Sequence, residues 1–107
     1  MIIVSNRISV NPDHAEAFED RFANRASRVD GQAGFIAFQL LRPTQAGEPY
    51  IVMTMWESMA DFDAWRNAPE FKEGHKGGQQ LPEGAVLGRP QLEIHDVISS
   101  TLTMSEG

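Results

Sequence analysis

Apolar and polar positions alternate along the first ten residues. Ile2, Val4, Asn6, Ile8 and Val10 share one face at a period of two, so Met1–Val10 reads as a strand. Asn6 is the polar interruption of that face. Buried there, its amide must find hydrogen-bond partners, on neighbouring backbone or on a ligand, or cost roughly 1–3 kcal/mol. The period then changes. Ala15, Phe18, Phe22, Ala26 and Val29 recur at three and four, which predicts a helix from Pro12 to Val29. Asn11 is its cap and Pro12 its first residue. Phe35–Leu41 and Tyr50–Trp56 read as strands apolar on both faces, joined by a connection rich in turn residues. Ser58 caps a second helix, with Asp61 three residues on in a shortened capping box. Phe62 and Trp65 ride on that helix, and Asn67-Ala68-Pro69 interrupts it. A further short helix carries Phe71 and His75 on one face and stops at Gly77-Gly78. Gln79–Pro90 is punctuated by glycine and proline and reads as a long loop of the kind that serves as a lid. Gln91–Ile98 is the last strand, with His95 on the face opposite Leu92 and Ile94.

Strand, helix, strand, strand, helix, strand is the split βαβ pattern, an α+β ferredoxin-like βαββαβ fold. Residues 1–98 form this one domain, and 99–107 are expected to be a loosely held tail. Two helical regions cover only one face of the sheet. The two strands that are apolar on both faces therefore call for a second layer, most simply the same sheet from another copy.

Composition narrows the function. With 107 residues the chain is one domain with a modest core, and an oligomer would bury more. A net charge of −6 argues against a nucleic-acid footprint, which needs clustered Lys and Arg. The absence of cysteine removes disulfides and thiolate chemistry and fits a reducing cytoplasm. The first ten residues have no basic leader, and Asn6 and Arg7 break the apolar run, so neither a signal peptide nor a membrane span is expected.

Candidate chemistry centres on Met55–Gly78, where a Trp and a His precede a glycine-rich segment. Trp65 and His75 are either one wall of a pocket, or a core Trp and a helix-end His beside the C-terminal dipole. Arg21, Arg25 and Arg28 stand on one side of the first helix. They either answer the macrodipole or hold an anion by charge-assisted hydrogen bonds. No phosphate-cradling glycine motif, HExxH or GxSxG elbow occurs. A pocket with aromatic walls, one imidazole and one amide suits a flat, apolar, anionic molecule. An imidazole is a normal ligand of haem iron.

The segments RFANR (Arg21–Arg25), GFIAFQLLRP (Gly34–Pro43), MWES (Met55–Ser58) and Ala64-Trp65 resemble the IsdG-type haem-degrading monooxygenases within the antibiotic biosynthesis monooxygenase (ABM) superfamily. The likeness runs from Ile3 to about Val97. It implies a homodimer pairing face to face as a dimeric α/β barrel, and an Asn, Trp, His triad that maps onto Asn6, Trp65 and His75. By this resemblance His75 ligates iron, Asn6 hydrogen-bonds the iron-bound oxygen or an adjacent ligand, and Trp65 ruffles the macrocycle. Phe22 lines the pocket, and Arg21, Arg25 and Arg89 are candidates for the propionates. Haem is then substrate and cofactor, with O2 and an external electron donor. That donor is a separate reductase, since no flavin or nicotinamide motif is present. Lys76-Gly77-Gly78 departs from the staphylococcal members, which carry a second His and more basic residues there.

Two rival functions use the same pocket. A cofactor-free monooxygenase of quinol-like aromatics would need no iron, and a non-catalytic haem-binding module would hold haem without turning it over.

Overall fold

A computed structural model describes residues 1–23, 31–68 and 84–102. Its elements are β1 (Ile2–Ile8), a 3-10 turn (Pro12–His14), α1 (Ala15–Ala23), β2 (Phe35–Leu41), β3 (Tyr50–Trp56), α2 (Met59–Arg66) and β4 (Gln91–Asp96). The sheet order is β2-β3-β1-β4 and every neighbouring pair is antiparallel. This is the ferredoxin-like arrangement, with the hairpin β2-β3 on one side and β4 at the other edge.

Several boundaries differ from those expected, each for a physical reason. The helix opens as a 3-10 turn, with the Asn11 side chain accepting from the Asp13 amide at 3.0 Å. Val10 leaves β1 and pairs instead with Val86. Around that bridge the Asn11 amide donates to the Ala85 carbonyl at 2.8 Å and the Leu87 amide to Ser9 at 2.7 Å. The last part of the expected lid loop is thus strapped to the end of β1, with Ala85 buried beneath it. β4 stops at Asp96, opposite Ile2, because β1 offers no further residue to pair beyond Met1, whose carbonyl accepts from Val97. Arg25, Ala26, Arg28 and Val29, and the expected short helix with Phe71 and His75, lie outside the described residues.

α2 begins where the sequence places its cap: the Ser58 hydroxyl accepts from the Asp61 amide and donates to the Asp61 carboxylate. Gly34 lets the start of β2 approach this turn. Its φ of +79° is open to glycine at little cost, and its carbonyl accepts from Glu57 at 2.8 Å. A register shift between Phe35 and Ala37 then brings both Phe35 and Phe38 to the helix side of the sheet. Without such a bulge, residues three apart would face opposite ways.

The core is divided. Ile2, Val4, Trp56 and Phe62 form one cluster, with Phe35 and Trp65 packed on it. Ile8, Phe18 and Tyr50 form the other, joined by Phe22, Leu40, Val52 and neighbours. The first is held by α2 and the second by α1. Along β1 the two meet at Asn6, between Val4 and Ile8.

Candidate substrate pocket

Register assigns Asn6 its surroundings. Residues directly opposite in antiparallel strands share a face, so Asn6 stands in a row with Val52 on β3 and Leu92 on β4. Leu40 extends the row onto β2, opposite Val52. The row faces the helices, because its flanking positions Val4 and Ile8 are the buried members of β1. Asn6 is half-buried, and among the described residues its amide has no side-chain or backbone partner. Asn6 is thus a polar group on an apolar row, at the seam of the two core clusters.

Trp65 lies on the same side of the sheet. It is half-buried on α2, one turn beyond Phe62, and packs on the cluster that contains Val4. Phe22 approaches from α1. Its ring stacks on Phe38 with centroids 6.2 Å apart and planes at 20°, and meets Phe18 at 5.1 Å. Asn6, Trp65 and Phe22 thus belong to one layer, between sheet and helices. Arg21, next to Phe22, is half-buried, and Arg89 is exposed ahead of β4. Neither has an ion-pair partner among the described residues. Arg25 and His75 lie outside the described residues.

A polar network joins α1 to the hairpin. The Glu19 carboxylate on α1 accepts from Arg42 Nε at 2.8 Å and from the phenol of Tyr50. It ties α1 to both ends of the β2-β3 connection. The Arg42 guanidinium, and after it the Tyr50 hydroxyl, hold the Glu19 carboxyl well below its ordinary 4.5, at about 2. Burial, and then the bond to Glu19, push the Tyr50 phenol up. In the sequence Glu19 is one of four acids, with Asp13, Glu16 and Asp20, in the first half of the first helix. Nothing in its spacing pairs it with residues 23 and 31 positions away.

Beside this network lies a concavity of about 350 Å³, lined by Glu19, Asp20, Phe22, Phe38 and Leu40. It shares Phe22 with the Asn6 side of the layer, but its lip is acidic. No helix among the described residues is long and apolar enough to cross a membrane.

The helix-facing side of this ferredoxin-like sheet thus carries a half-buried amide and aromatic walls. The chain belongs to the antibiotic biosynthesis monooxygenase family, whose model matches residues 1–77. It is 41% identical over 97 residues to a mycobilin-producing heme oxygenase of Mycobacterium tuberculosis, covering 91% of this chain and 90% of that protein. A staphylobilin-producing heme oxygenase of Staphylococcus haemolyticus is 33% identical over 78 residues, 71% of this chain and 74% of that one. Among solved structures, the heme-degrader MhuD from Mycobacterium tuberculosis, with two hemes bound in its active site, matches with a TM-score of 0.79 at 36% identity, over 94% of this chain and 98% of that one.

Proposed function

We propose that this chain is a haem-degrading monooxygenase, which opens the porphyrin with O2 and external electrons and releases iron. The observation that carries the reading is the Asn6 amide, half-buried and unpartnered among the described residues on an otherwise apolar row. Together with Trp65 on the same layer, it suits a flat apolar substrate with one polar centre. The relatives named as heme oxygenases supply the chemistry.

The roles follow from residue chemistry. His75 is the iron ligand, an assignment drawn from the resemblance alone. Asn6 donates a hydrogen bond to the centre of the bound substrate complex. Trp65, backed by the buried cluster beneath it, presses on the macrocycle and bends it. Phe22, held by its stack on Phe38, lines the wall. Arg21, Arg25 and Arg89 are the cations for the propionates. Bound haem supplies the iron that activates O2, and a separate reductase supplies electrons.

Two copies of the chain pair through the sheet faces turned away from the helices. Ile3, Ile51 and Met53 are half-buried and Leu41 exposed on that face, an apolar surface that a second layer would cover. We assign the protein to the cytoplasm, which a cysteine-free chain suits.

Hemin titration tests the reading. A shifted Soret band saturating at a fixed hemin-to-chain ratio is expected, followed by bleaching and release of chelatable iron when ascorbate or a reductase system is added. His75→Ala is expected to lose the ligand-dependent spectrum. An absent Soret shift would overturn the haem reading, and binding without bleaching would reduce the protein to a haem-holding module.

A further inference from the structure

We infer that Leu92, on the edge strand β4, is a substrate-contacting residue that sets how tightly the flat macrocycle is held. The inference rests on the haem reading of the Asn6 site and extends it to a strand that the sequence left without a role. Leu92 is directly opposite Asn6. In such a pair the two Cβ atoms are about 4.5–5.5 Å apart on one face. A planar ligand wider than that spacing, lying flat over the Asn6 amide, also rests on Val52, Leu92 or both.

Exposure separates the two. Val52 is half-buried and packs on the cluster of Ile8, Phe18 and Tyr50. Leu92 belongs to neither core cluster and is 51% exposed, although it points to the same side as buried Val4 and Ile8. Its neighbour Ile94, opposite Val4, is 37% exposed in the same way. The helix side of β4 is thus an apolar shelf continuous with the row of Asn6. Leu92 is the row member with most surface left to bury. A tetrapyrrole is the occupant that explains the shelf, because its apolar rim extends sideways from whatever centre the amide addresses.

The test is hemin binding by the full chain, followed at the Soret band. Burying about half a leucine on binding corresponds to roughly a five- to tenfold change in Kd. Leu92→Ser is expected to weaken hemin by that factor, and Leu92→Met to stay within about twofold of wild type. Leu92→Gln keeps the side-chain length and serves as the second polar variant should Ser loosen the strand. Ile98→Ser removes an apolar group that is 95% exposed beyond the end of β4, and is expected to leave Kd unchanged. If wild type binds hemin and folded Leu92→Ser and Leu92→Gln bind it equally well, the inference is overturned and the haem reading stands. If wild type does not bind hemin, both fall.

Discussion

Gly34 lies so close to Asp61 that a Cβ added to the glycine would fall within the aspartate side chain. The glycine also holds a φ of +79°. Gly34→Ala therefore meets two penalties, a left-handed backbone costing about 1–2 kcal/mol and a collision with a side chain that Ser58 holds in place. A loss of about 2–3 kcal/mol in urea unfolding is expected. Gly47 has a similar φ of +88° but open space where its Cβ would go, so Gly47→Ala should show the backbone penalty alone. Equal losses for the two variants would refute the close packing of β2 against the start of α2.

The carboxylate of Glu19 makes stability depend on acid. Its pKa is depressed in the folded chain, so the stability it contributes is complete above its ordinary 4.5 and is lost as pH falls towards about 2. Glu19→Gln cannot titrate. Thermal melts should show wild type ahead of Glu19→Gln at neutral pH, and the gap closing between pH 4.5 and about 2. A gap that stays constant across that window would mean that the carboxylate is not held by Arg42 and Tyr50.

Ser58 caps the first turn of α2 through its bonds to the Asp61 amide and carboxylate. Ser58→Ala should cost about 0.5–2 kcal/mol. Because α2 also carries Trp65 two turns later, the same variant should loosen the ring against its cluster and broaden the hemin spectrum. Unfolding and the Soret band width are the two measurements. Ser58→Thr keeps the cap and should restore both.

Legibility followed the range of the interactions. β2, β3 and the cap of α2 were readable because apolar runs and Ser58 act within a few residues. The odd placing of Asn6 was readable too, since strand period alone sets its face. What could not be read depends on partners far along the chain. The bulge near Ile36 decides whether Phe38 can meet Phe22. The Val10–Val86 bridge turns part of a glycine-rich loop into a strap. Glu19 finds Arg42 and Tyr50 only when the hairpin folds over α1. Leu92 gains a role only from the register that sets it beside Asn6.

The sheet face away from the helices offers a test of assembly. Met53 stands there between Gln39 on β2 and Ser5 on β1. A charge at this position in a face-to-face dimer would be buried without a partner. Met53→Lys should shift the protein from dimer to monomer in sedimentation velocity while circular dichroism stays folded. A dimer that survives the change must pair through another surface.

At Asn6 we expect a substitution to change activity and not stability. An amide without a partner gains the fold nothing, so a nonpolar replacement should not harm it. Asn6→Ala is expected to stay within about 1 kcal/mol of wild type in chemical unfolding, and Asn6→Leu to match or exceed wild type, because the larger side chain fills the row. Both variants should still bind hemin, since Trp65, Phe22 and the apolar row are untouched. Turnover under ascorbate is the quantity that should fall, by about a hundredfold or more, the usual size for losing one preorganised hydrogen-bond donor. A residue kept for structure would give the opposite pattern, with stability lost first and turnover falling only in proportion to the folded fraction. Bleaching of the Soret band at matched folded fraction decides between them, and unchanged bleaching in Asn6→Ala would remove the amide from the chemistry.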